Sequence, residues 1–174
     1  MFEDRTSIIY LNYLFNNSVM CLNLVDIDEV KPSAYTDLKP LLQAYTEILR
    51  TGVVKKPVII DGETGVIVGG HEIYHAPQLL SARKIPVFKV DFSKMRTKSL
   101  QPSLKSPMKN AIIEAGLKGY KLPSKSLEPT LDVDFPKISV SLEELGVWRK
   151  PDREKMRYKY AEQFEEYFSK EIGI

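Results

Sequence analysis

The sequence predicts an α/β (α+β) domain built on a mixed sheet, and three observations lead there. Short β-branched runs and amphipathic stretches alternate in the order β-α-β-β-α-β along residues 19–92. The stretch Val66–Ala76 passes from three β-branched residues through Gly69-Gly70 into a polar run that opens a helix. Residues 35–50 carry apolar side chains at spacings of three and four, the pattern of a helix with one buried face. With 43% apolar and 28% charged residues in 174, the chain has the composition of one soluble globular domain.

Taken in order, residues 2–18 are aromatic and asparagine-rich without a clean period, and read as an N-terminal strand or helix. Val19–Ile27 alternates well enough for a strand, which Pro32 closes because proline lacks a ladder donor. The helix at Tyr35–Arg50 buries Leu38, Leu41, Leu42, Tyr45, Ile48 and Leu49, with Thr36 as N-cap, Pro40 in the tolerant first turn and Gly52 past the end. Pro57–Ile60 is a strand, Asp61–Gly65 a hairpin turn, and Val66–Val68 the returning partner. A helix over His71–Ala82 is bent or restarted by Pro77, and Ile85–Phe92 returns to the sheet. Beyond it come an irregular stretch to residue 107, a short helix at Met108–Ala115 stopped by Gly116 and Gly119, proline-rich loop over 120–136, and a strand passing into a helical turn at Ser139–Leu145. Pro151–Ile172 reads as a helix with proline at its first position and an apolar stripe of Met156, Tyr160, Phe164, Tyr167 and Phe168. That stripe either docks on the core or forms a homodimer contact. The expected organisation is a core over 1–92, a basic linker and C-terminal part of the same domain over 93–150, and an amphipathic helix over 151–174.

One cysteine, Cys21, excludes an internal disulfide framework and fits a reducing compartment. It sits in an apolar run and reads as a small core residue. The Ile8–Phe15 run is too short to span a bilayer and is interrupted by Asn12. The expected location is therefore the cytoplasm, away from membranes. Net charge is only +2, yet Lys94, Arg96, Lys98, Lys105, Lys109, Lys118, Lys121 and Lys125 face a single acid, Glu114, within residues 93–125. A block of this kind suits a phosphate-bearing partner such as DNA, or else a solvated lysine-rich loop. No helix-turn-helix is evident, so sequence-specific reading of DNA has no support.

Both histidines fall in His71-Glu72-Ile73-Tyr74-His75. Alone, this spells H-E-x-x-H, in which two imidazoles one helical turn apart hold zinc beside a glutamate base. Pro77 follows closely where a zinc helix should run on, and no third ligand declares itself beyond an arbitrary choice of Asp91 or Glu114.

Set with its flanks, the stretch belongs to an ordered series: residues 25–32 (Val-Asp-Ile-Asp-Glu-Val-Lys-Pro), 52–61 (Gly-Val-Val-Lys-Lys-Pro-Val-Ile-Ile-Asp), 69–76 (Gly-Gly-His-Glu-Ile-Tyr-His-Ala) and Ile85-Pro86-Val87. This series resembles the ParB/sulfiredoxin-like superfamily over about residues 20–145, and within it the archaeal free-serine kinases. Those carry K-P-H-E, D-G-H-H-R and P-P-K-T-T-R-H motifs. Here the first reads Lys31-Pro32-Ser33-Ala34, the second Gly69-Gly70-His71-Glu72-Ile73, and the third Pro123-Ser124-Lys125-Ser126-Leu127-Glu128-Pro129.

The resemblance implies a site for ATP or ADP with Mg²⁺, held by Lys31, Gly69, Gly70, His71, Lys125 and Ser126. The departures speak against serine phosphorylation. Ala34 stands where the family has its carboxylate base, Gly69 and Ile73 replace an aspartate and an arginine, and Glu128 and Pro129 replace an arginine and a histidine. The expectation is a nucleotide- or phosphate-binding module without kinase activity, associated with DNA through residues 94–125. The enzymatic alternatives are a divergent kinase or nuclease taking its base from Glu72 or Glu29, with His71 in support, or a zinc hydrolase using His71 and His75.

Overall fold

The computed structural model describes residues 13–15, 18–95, 97–98, 105–123, 130–131 and 135–147. The expected helix at 151–172, with Met156, Tyr160, Phe164, Tyr167 and Phe168, lies outside them. The elements are β1 (Tyr13–Phe15), β2 (Ser18–Met20), β3 (Leu22–Asp26), α1 (Leu38–Thr51), β4 (Val53–Val54), β5 (Val58–Asp61), β6 (Ile67–Gly69), α2 (His71–Leu79), β7 (Lys84–Val90), β8 (Thr97–Lys98), α3 (Lys105–Lys118), β9 (Thr130–Leu131) and β10 (Val140–Ser141).

Four strands form the central sheet in the order β3-β7-β5-β6. β7 runs antiparallel to β3 and parallel to β5, and β5 is antiparallel to β6 with a register shift at Ile59/Ile60. It is a mixed sheet, as the sequence order predicts. Burial follows position. β5 is buried at every residue, whereas edge strand β3 leaves Leu24 and Asp26 exposed. Three short ladders (β1-β2, β4-β10 and β8-β9) lie outside this sheet.

α1 buries Leu41, Leu42, Ala44, Tyr45 and Ile48 and packs on α2, so its predicted stripe is its core face. Its N-cap is Asp37 rather than Thr36, and its end at Gly52 is as expected, the Gly52 N–H reaching the Ile48 carbonyl. Pro77 lies inside α2 without interrupting the turn from His71 to His75, but the helix stops at Leu79, short of the predicted Ala82. Proline has no N–H for the carbonyl one turn back, and the N–H groups of Leu80 and Ala82 fold back onto the Pro77 carbonyl. Among the described residues no helix is long and apolar enough to cross a membrane.

α3 corrects a second expectation. It runs to Lys118 with Gly116 inside it, so Gly116 is no helix stop. A Cβ at Gly116 would stand 2.5 Å from a methyl of the fully buried Val66. The residue is small because the helix lies directly on the strand entering β6. Gly119, at φ +76°, is the left-handed residue that ends the helix.

The tip of the β5–β6 hairpin is organised by Asp61, a buried carboxylate. One of its oxygens accepts the Thr64 N–H (3.0 Å) and hydroxyl (2.7 Å), the other the Phe92 N–H at 3.3 Å. Its charge is thus met by three donors, which joins the hairpin to the chain leaving β7.

Candidate functional site

Two structures meet at the Gly69-Gly70 turn, one closed and one open. The closed one is a junction of the sequence motifs. The chain after β3 runs beside the entry to β6. Lys31 forms a parallel bridge with Val66, its N–H bonds to the Gly65 carbonyl and its carbonyl accepts the Ile67 N–H. Ser33 then gives its hydroxyl proton to the Ile67 carbonyl at 2.7 Å.

His71, buried at 4% exposure, points inward from the first turn of α2. Its Nε2 accepts the N–H groups of Ser33 and Ala34, each at 3.2 Å. A ring nitrogen that accepts two amides carries no proton, so the neutral ring is the Nδ1–H tautomer. The third motif begins at the same place: Leu122 bridges Ala34, giving its N–H to the Ser33 carbonyl and accepting the Tyr35 N–H. Stretches remote in sequence are thereby tied into one buried hydrogen-bonded knot.

The Ser33 hydroxyl also lies 3.2 Å from His71 Nε2. This is not an activated nucleophile. Ser33 is 1% exposed and its proton is already directed to a carbonyl. The H-E-x-x-H pattern meets the same geometry, since the Nε2 of His71 is engaged with the loop while His75 reaches Gln78 through Nδ1. Among the described residues no three His, Cys, Asp or Glu side chains gather around one metal position.

The open structure is a cleft of about 330 Å³ between α1, β4 and the start of α2. Ala44, Ile48, Val54 and Ile73 supply buried apolar walls, and Gln43, Glu47, Lys55, Lys56 and Glu72 supply polar ones. Gly70 makes this edge possible. It sits at φ +79°, and a Cβ there would stand 3.2 Å from the Pro57 carbonyl oxygen, so the backbone can turn into α2 hard against the start of β5. The helix opens with no side-chain cap, and Glu72 is the acid of its first turn. Lys55 pairs with Glu47 at 3.4 Å.

The predicted site residues therefore divide. Gly69 closes β6 and Gly70 forms the turn, whereas His71 faces the knot and Glu72 the cleft. The Lys31 ammonium turns to the hairpin, bonding the Thr64 carbonyl at 2.9 Å. Glu29 ends a short 3-10 turn, with its carbonyl against Gly65. Lys125, Ser126, Glu128 and Pro129 lie outside the described residues. Sequence reasoning missed Gln43, Glu47, Lys55 and Lys56. The available signals were the one-turn spacing of Gln43 and Glu47 on the polar side of α1 and the paired lysines before β5. On the far side of α2, burial and then the nearby Asp28 push the Tyr74 phenol above its ordinary range.

The basic segment is also partly engaged. Lys94 pairs with Asp91 at 3.1 Å, and Lys118 pairs with Glu114 one turn away, which raises the lysine's pKa. Lys109 donates to the Ser93 and Met95 carbonyls and stands 5.4 Å over the Phe92 ring. Lys121 lies 5.7 Å over Tyr35. Lys98 and Lys105 belong to β8 and α3, their side chains lying outside the described set, as does Arg96.

No protein-family model matches the chain, and no curated protein matches its sequence. Solved structures do match its fold. A free serine kinase variant in complex with ADP superposes with a TM-score of 0.60 at 15% identity, over 71% of this chain and 93% of that one. A conserved hypothetical protein from Pyrococcus furiosus gives 0.61 at 15% identity, over 71% and 97%. SbnI from Staphylococcus aureus, truncated at its C-terminus, gives 0.52 at 11% identity, over 82% and 97%. At these identities the likeness shows the fold. The chain shares the fold of these structures, a free serine kinase among them.

Proposed function

We propose that this chain is a nucleotide-binding module that takes an adenine nucleotide in the cleft between α1, β4 and the Gly70–Glu72 turn, and that it does not phosphorylate serine. The observation that carries the reading is the cleft itself: about 330 Å³ with apolar walls, two exposed lysines among its lining and the first turn of a helix at one side. Support comes from fold neighbours solved with ADP and with AMP. Against transfer stands Ala34, a buried methyl with its N–H bonded to His71, which the motif resemblance aligns with the carboxylate base of the kinases.

Glu72 lines the cleft and keeps one enzymatic alternative testable, a divergent kinase with this carboxylate as base. DNA association through the basic segment is a separate reading: Lys94 and Lys118 pair with acids at the surface and Lys109 bonds carbonyls, contacts weak enough for phosphates to replace. The test incubates the full chain with AMP, ADP or ATP, with and without Mg²⁺ and free serine. Melting temperature and phosphoserine formation are followed together. The expected result is a melting shift with nucleotide and no phosphoserine. Phosphoserine that disappears in Glu72→Gln would establish the enzyme instead.

A further inference from the structure

Resting on that reading, we infer that Glu72 limits the cleft to ligands carrying a single phosphate, so that a nucleoside monophosphate is preferred over the di- and triphosphate. Three observations converge on it. First, the formal charges lining the cleft cancel: Lys55 and Lys56 against Glu47 and Glu72. A polyphosphate would bring three or four negative charges to a neutral wall. Second, the cations are compromised by position. Both lysines are exposed at the mouth, and Lys55 already has Glu47 at 3.4 Å, whereas Glu72 is less exposed and nearer the helix start. The charge best placed to be felt inside the cleft is thus negative.

Third, Glu72 lies in the first turn of an uncapped helix. A carboxylate there interacts favourably with the positive helix end, which is the interaction a bound phosphate would otherwise make. Glu72 is therefore an internal competitor for the anion. One phosphate at the lysine mouth remains compatible with this wall. A chain of phosphates running along the turn toward Glu72 meets like charge and a helix end already compensated.

The test is calorimetric titration of the full chain with AMP, ADP and ATP in magnesium-free buffer, for the parent and for Glu72→Gln. Glutamine keeps the shape and removes the charge, and a urea unfolding curve of the variant verifies that its fold is intact. The expected order is AMP, then ADP, then ATP, with AMP at least about tenfold tighter than ATP, and with that ratio falling at least about fivefold in Glu72→Gln. ATP binding as tightly as AMP to the parent, or an unchanged ratio in the variant, overturns the role of Glu72 and leaves the nucleotide cleft standing. Absence of binding by any of the three nucleotides to either protein overturns the cleft reading and this inference with it.

Discussion

The two sides of the Gly69-Gly70 turn differ in almost every respect although they share consecutive residues. On one side His71 is buried and its Nε2 holds the Ser33 and Ala34 amides. On the other Glu72 is partly exposed and faces a cleft with charged walls. The knot has the properties of structure: polar groups met by partners inside the protein, and little exposure at Ser33, Ala34 and His71. The cleft has the properties of a binding site: volume, apolar walls and charges held at its edge. What the difference teaches is that consecutive residues of the most conspicuous pattern in the sequence serve different surroundings, His71 a buried hydrogen-bonded junction and Glu72 the lining of an open cleft.

The sharpest way to break this contrast is to remove the histidine. His71→Ala leaves two buried amides without their acceptor and opens a cavity, which costs roughly 2–5 kcal/mol, read as a lowered urea midpoint. If His71 were a ligand contact alone, stability would hold and only binding would fall. Gly116→Ala probes the strand behind the knot. Its new methyl must displace the buried Val66 side chain, so a loss of about 1–3 kcal/mol is expected despite alanine's better helix propensity. A more stable variant would mean that α3 does not lie so closely on that strand.

Lys56→Gln tests the open side. Stability should stay within about 0.5 kcal/mol, as for most exposed positions, while AMP affinity falls severalfold in calorimetry. The smallest effect is expected away from both regions. The Asp91 carboxyl is held below its ordinary range, first by the Ser93 hydroxyl and then by Lys94. A lowered folded-state value makes its contribution complete above the unfolded-state value and lost as pH falls through the folded one. Asp91→Asn should accordingly lower the unfolding midpoint slightly at neutral pH, and the difference should vanish in acid. A difference that grew in acid would contradict the pairing.

The element order was legible because the apolar period changes between two and three-to-four at nearly every boundary of residues 19–92. The β5–β6 hairpin, the stripe of α1 and the glycine turn all stand where their residues place them. Gly116 was misread for a physical reason. Glycine inside a helix normally argues against the helix, and the close packing on Val66 that justifies it is not a local property. The direction of the His71 ring was equally hidden, since it depends on the Ser33 and Ala34 amides, which lie 38 and 37 residues away in sequence. The cleft was the least legible part. Gln43, Glu47, Lys55 and Lys56 carry no motif, and only the packing of α1 beside β4 and α2 gathers them.

The most direct measurement is a two-dimensional amide NMR titration of the full chain with AMP. Shifts confined to Gln43, Glu47, Val53, Lys55, Lys56 and Glu72, with Ser33, Ala34 and Leu122 unmoved, are the predicted result. The largest shifts at Ser33, Ala34 and Leu122 would contradict it, moving the ligand to the motif knot and making the cleft incidental.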